Sequence, residues 1–139
     1  MLVYIREFKS RHMKVNSNLN NSATQKLRNS LIIFHQNVCS SRYKTDKLYS
    51  SLYPDLLHFL CITEHHLNYA QLFGIGIDNY KLCTSYCRMN SIKGGACNYV
   101  CENINSTQVD IKKYRLDYDI EACVLQLHLD NTTIHILTI

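Results

Sequence analysis

Two apolar runs constrain this chain most: Leu31-Ile32-Ile33-Phe34 and Leu56-Leu57-His58-Phe59-Leu60-Cys61-Ile62. Continuous apolar runs of this length read as strands buried on both faces, as in parallel sheets. Between them Thr45 or Asp46 can cap a short helix over 46–52, with Leu48, Leu52 and the nearby Tyr49 on one face, and Pro54 ends it. A strand, a helix and a strand at this separation predict a crossover unit with parallel strands. Parallel strands finish on the same side of a sheet. The polar residues that close the two runs, Asn37 and Glu64, are therefore expected at neighbouring strand ends.

Downstream the pattern turns to β-structure. Residues 80–86 and 96–101 are strand candidates, joined by a segment ending in Gly94-Gly95 that marks a sharp bend. Residues 120–129 and 134–139 flank Asp130-Asn131-Thr132-Thr133, which reads as a hairpin loop. Along 120–129 one face carries Glu121, Cys123, Leu125, Leu127 and Leu129, and the other Ile120, Ala122, Val124, Gln126 and His128. A strand this apolar on both sides belongs inside a sandwich. The first strand is expected over 31–37 and the second over 56–63.

The 139 residues fit one domain, and a 46% hydrophobic content is enough to build a core. Residues 1–29 carry Lys9, Arg11, Lys14, Lys26 and Arg28 among Asn and Ser without apolar periodicity, and read as a flexible polar and basic leader before a domain over 30–139. A net charge of +4 is spread along the chain and does not by itself indicate a nucleic-acid footprint. Seven Cys, an odd number, without a signal-peptide pattern indicate an intracellular, reducing setting, nuclear or cytoplasmic and not secreted. No run is long enough to span a membrane.

A carboxylate at a strand end is a frequent Mg²⁺ ligand, because the ion takes one or two carboxylates and keeps water or phosphate oxygens for the rest. Glu64 is the metal candidate and Asn37 the catalytic candidate, an amide that would fix an attacking or phosphate oxygen. Each also has a plain alternative: Glu64 as a solvated strand terminator, and Asn37 as a turn former bonded to its own backbone.

Three segments carry a family resemblance: Leu31-Ile-Ile-Phe-His-Gln-Asn37-Val, Lys44-Thr-Asp-Lys-Leu48, and Pro54-Asp-Leu-Leu-His-Phe-Leu-Cys-Ile-Thr-Glu64-His-His-Leu67. Asn79-Tyr80-Lys-Leu, Lys93-Gly94-Gly95-Ala-Cys-Asn-Tyr99-Val100 and Ile120-Glu121-Ala-Cys-Val continue the same order. Together they resemble the endonuclease/exonuclease/phosphatase superfamily, most of all the endonuclease domains of non-long-terminal-repeat retrotransposons, which accompany a reverse transcriptase. The resemblance covers about 31–139. It implies an α/β fold, the N-terminal half of a four-layered α/β sandwich, and hydrolysis of DNA phosphodiesters with Mg²⁺. Under it Glu64 corresponds to the metal-ligand Glu and Asn37 to the strand-end Asn. The family's remaining site residues are a Tyr or Arg after the strand that here reaches Ile139, an Asp-x-Asn pair and an Asp-His pair, and none of these occurs in the sequence. The chain is therefore expected to be a truncated domain, binding Mg²⁺ weakly or not at all, inactive alone, with DNA as partner and no membrane. An uncovered sandwich face is expected to favour self-association.

Other readings stand beside this one. A non-catalytic interaction module or remnant fits the same residues. The spacings Cys83-x3-Cys87 and Cys97-x3-Cys101 invite a zinc module, although side chains four residues apart on a strand are about 13 Å apart. Tyr4, Tyr43, Tyr49, Tyr53, Tyr69 and Tyr86 suit either base stacking or a core and rim, and His65-His66 either a metal site or two exposed loop histidines.

Overall fold

A computed structural model of the chain describes residues 2–3, 31–39, 57–129 and 132–139. Strands β1 (Leu2–Val3), β2 (Ile33–Asn37) and β3 (Phe59–Thr63) are followed by helix α1 (Tyr69–Phe73). Strands β4 (Tyr80–Tyr86), β5 (Ala96–Cys101) and β6 (Asn105–Val109) come next, then a 3-10 turn (Lys112–Tyr114), β7 (Cys123–Leu129) and β8 (Thr132–Thr138). They form two four-stranded sheets, ordered β2-β3-β5-β4 and β1-β8-β7-β6.

The predicted parallel pair is present: β2 lies along β3 with Phe34 opposite Leu60 and Asn37 opposite Thr63. The helix expected over 46–52 lies outside the described residues, as does most of the stretch read as a leader. Within that stretch Leu2–Val3 pairs in parallel with His135 and Ile136 of β8.

Alternation along the strands assigns the core. Phe59, Cys61 and Val100 from the first sheet meet Leu125, Leu127 and Ile136 from the second, all essentially without solvent contact. Each large apolar side chain buried this way contributes on the order of 1.5–3 kcal/mol. The opposite face of the first sheet, through Leu60, Ile62 and Tyr99, packs beneath Leu67, Leu72 and Ile77 of the segment that carries α1. The outer face of the second sheet is mixed, with Val124 and Leu137 beside Gln126, His128 and His135.

Several expectations change in detail. Strand β7 begins at Cys123, not at residue 120, because Ile120 closes a turn with Leu116 (Ile120 N–H to Leu116 O, 2.8 Å) and Glu121 turns toward the first sheet. The β7–β8 loop is shorter than expected, since Thr132 and Thr133 already pair with Leu129 and His128. Strand β6 was not anticipated: its sequence Asn-Ser-Thr-Gln-Val is almost wholly polar, and it is held as an edge strand against β7. Helix α1 was also missed, although Asn68 and Gln71 form a reciprocal capping box at its start. No helix among the described residues is long and apolar enough to cross a membrane.

Candidate functional site at the ends of strands 2 and 3

Because β2 and β3 are parallel and in register, Asn37 lies beside Thr63, and the next residue after Thr63 is Glu64. The Val38 N–H donates to Thr63 O at 3.0 Å and extends the pairing past the strand end. The sequence-derived site residues are therefore brought to neighbouring strand ends, but their side chains are engaged separately. Asn37 Oδ1 accepts the Cys39 N–H at 3.1 Å, a local turn, so its amide –NH₂ is the group that could meet a phosphate oxygen. Glu64 Oε2 accepts from His66 Nε2 at 2.8 Å, with the Glu64 side chain 40% exposed and that of His66 22%.

The backbone after β3 is strained. Glu64 has φ 55° and His66 φ 57°, both in the left-handed region that non-glycine residues rarely adopt. Such conformations cost of order 1–3 kcal/mol each and persist only where surrounding contacts hold them. One such contact is the His66 N–H, which donates to Gly94 O at 2.9 Å.

His65, read from the sequence either as part of a metal site or as an exposed loop residue, is 1% exposed. This corrects the sequence reading; His66 is half-buried. Both ring nitrogens of His65 are committed: Nδ1 accepts the Leu67 N–H at 3.1 Å, which leaves Nε2 to donate to Tyr86 O, also at 3.1 Å. The neutral Nε2–H tautomer satisfies both bonds. Burial lowers the pKa of His65, opposed by the hydrogen bond to Tyr86 O and by the nearby Glu121 and Glu64 carboxylates.

Glu121 organises the rest. Its Oε2 accepts the Gly95 N–H at 2.8 Å, and its Oε1 accepts the Tyr118 N–H at 3.1 Å and is also bonded by Arg88 Nε. One carboxylate thus joins the β4–β5 loop to the β6–β7 loop, and its field and that of Glu64 both act on His65 and Arg88. Burial opposes the Arg88 charge, yet the hydrogen bond and field of Glu121, with a further contribution from Glu64, hold its pKa above the ordinary value. The Arg88 guanidinium also lies over the Tyr118 ring, 4.3 Å from its centre. The Gly94-Gly95 bend fits this arrangement closely. A β-carbon at Gly94 would come within 2.2 Å of Glu121 Oε2, and both glycines have positive φ, 73° and 91°.

Tyr86, one of the tyrosines considered for stacking, is buried, and its hydroxyl donates to Asp117. Burial and the Asp117 carboxylate both push its pKa up. Tyr69 is exposed on α1, and Tyr4, Tyr43, Tyr49 and Tyr53 lie outside the described residues.

The spacing Cys83-x3-Cys87 does not make a chelate. A bulge between Leu82 and Thr84 reverses the side-chain alternation of β4, so Cys83 packs between the sheets and Cys87 on the opposite face. All seven Cys are free thiols, and no group of three or more His, Cys, Asp or Glu able to hold a metal occurs among the described residues. Sequence reasoning missed Glu121, Arg88 and Tyr118. The signal available was Glu121 itself, a carboxylate in an otherwise apolar strand pattern. No protein-family model matches the chain, and a search of curated proteins finds no match either.

Proposed function

We propose that these residues form the first half of a Mg²⁺-dependent phosphodiesterase site of the DNA endonuclease type, on one half of a four-layered endonuclease/exonuclease/phosphatase sandwich. The observation that carries this reading is the placement of Glu64 and Asn37 at neighbouring ends of parallel strands, with Glu64 in a strained backbone conformation. The half-exposed Glu64 carboxylate is a hard oxygen donor and suits an ion that keeps most of its water; a single carboxylate fits weak binding. Bound there, Mg²⁺ would polarise a phosphoryl oxygen or an attacking water. Asn37 would donate its amide to a phosphate oxygen.

The chain by itself is proposed to hold the ion without completing hydrolysis. In-line attack also needs a general base and a leaving-group stabiliser, and the Asp-x-Asn and Asp-His pairs that the resemblance assigns to these tasks do not occur in the sequence. The proposed partner is DNA in a nuclear or cytoplasmic setting, where the seven free thiols would stay reduced. Self-association is the alternative. It would use the outer face of the second sheet, where Val124 and Leu137 lie side by side.

The test is Mn²⁺ titration followed by paramagnetic broadening, together with a plasmid-nicking assay. Weak Mn²⁺ binding that is lost in Glu64→Ala, with no nicking by either protein, is the expected result. Binding unchanged in Glu64→Ala would remove the metal assignment. Nicking that Glu64→Ala abolishes would show that the chain supplies its own base.

A further inference from the structure

The β6–β7 loop presents an aromatic side chain that neither the core nor the Glu64 site uses. Tyr118 is 67% exposed, yet its backbone has φ 74°, a conformation unusual for a bulky residue. Two contacts hold it there. Its N–H donates to Glu121 Oε1 at 3.1 Å, and one face of its ring is covered by the Arg88 guanidinium at 4.3 Å. The other face is open to solvent.

The same loop holds Lys113 over the Tyr114 ring at 4.7 Å and Arg115 over the Tyr86 ring at 5.4 Å. Contacts of this kind occur about once per 70–80 residues, so three that each draw a residue from this loop, one of them wholly within it, are a concentration. A flat ring, backed by a fixed cation and open on its far side, matches the face of a nucleobase.

We propose that Tyr118, on the loop that Glu121 ties through Gly94-Gly95 and His66 to Glu64, is a stacking platform for an unpaired nucleobase, so that the chain binds single-stranded nucleic acid in preference to intact duplex. The choice of nucleic acid as ligand rests on the phosphodiesterase reading above. Charge does not carry this recognition: Lys112, Lys113 and Arg115 are balanced within the loop by Asp110, Asp117 and Asp119. Stacking does, and a base paired inside a duplex has no free face to offer.

The probe is a single-stranded DNA oligonucleotide carrying 2-aminopurine, whose fluorescence falls when the base stacks, titrated with the full chain in EDTA. Omitting the cation separates this test from that of the metal reading, because loss of Mn²⁺ binding would leave the titration unaffected. Quenching by the unaltered chain is expected, kept within about twofold in Tyr118→Phe and weakened about five- to hundredfold in Tyr118→Ala. Tyr118→Gly, which suits the positive φ, should weaken it equally and guards against misfolding of the alanine variant. Raising salt from 50 to 200 mM should weaken binding less than about tenfold, well short of the loss seen with many phosphate contacts. Absence of quenching, full affinity in Tyr118→Gly, or equal affinity for the duplex would overturn the proposal.

Discussion

Gly95 lies directly against the imidazole of His65: a β-carbon at Gly95 would stand 2.4 Å from both Cε1 and Nε2 of the ring. The contact ties the β4–β5 loop to the turn after β3, and so to Glu64. Gly95→Ala would combine this overlap with a φ of 91° and is expected to cost about 2–4 kcal/mol in a urea unfolding series. In a His65→Ala background the same substitution should cost clearly less. Equal costs in both backgrounds would assign the loss to backbone strain and the 3.0 Å approach to Tyr86 O, not to the imidazole.

His65 also gives the fold a pH dependence of defined sign. Burial places its native pKa below the ordinary 6.5, so the unfolded chain binds the proton first as pH falls. The stability that neutral His65 contributes is complete above about pH 6.5 and is lost as pH falls from there through the native value. Protonation also turns Nδ1 into a donor facing the Leu67 N–H. Urea midpoints should therefore decline below pH 6.5, well above the range near 4 where carboxylates ordinarily titrate. His65→Gln should flatten that decline; an unchanged profile in the variant would assign it to other groups.

The thiols test the packing of the two sheets. Burial pushes Cys61 up to about 12 and Cys87 up to about 11, and raises Cys97 and Cys123 as well. Thiolate is the reactive form, so iodoacetamide near pH 8 should label exposed Cys39 first and leave Cys61, Cys97 and Cys123 unmodified until urea is added. Peptide mass spectrometry reads this directly. Labelling of Cys61 or Cys123 at the rate of Cys39 would mean that the sheets do not close over them.

What the sequence made legible was local. Apolar runs and alternation placed β2 to β5, β7 and β8, the parallel β2–β3 pairing followed from the crossover spacing, and with it the adjacency of Asn37 and Glu64. Strand β6 was hidden because an edge strand needs no apolar face, and Asn-Ser-Thr-Gln-Val offers none. The bulge in β4 was hidden too, since an added residue leaves no fixed signature, yet it decides which way Cys83 and Cys87 face. Glu121 lies in alternation with Cys123 and Leu125 and so looked like part of the strand face. Its role comes from partners 26 and 33 residues away, beyond the reach of any periodicity. The capping box at Asn68 and Gln71 was readable and simply unread.

Glu121 should be the most sensitive polar residue of the site. Its side chain and that of Arg88 are each only 13% exposed, so Glu121→Ala leaves a largely buried guanidinium and two backbone N–H groups without their acceptor. Breaking a buried pair from one side costs about 3–5 kcal/mol, and the residual exposure here lowers the expectation to about 2–4 kcal/mol. Much of that loss is the orphaned charge. The double variant Arg88→Ala/Glu121→Ala should therefore be more stable than Glu121→Ala alone, a negative coupling that urea unfolding of the two single variants and the double variant measures. The loss should also reach the metal candidate, because Glu121 holds Gly95, Gly94 O accepts the His66 N–H, and His66 holds Glu64. Mn²⁺ affinity is thus expected to fall in Glu121→Gln, which keeps one oxygen acceptor and loses the charge. Additive stabilities in the double variant, with Mn²⁺ affinity unchanged in Glu121→Gln, would show that Glu121 is coupled neither to Arg88 nor to the metal candidate.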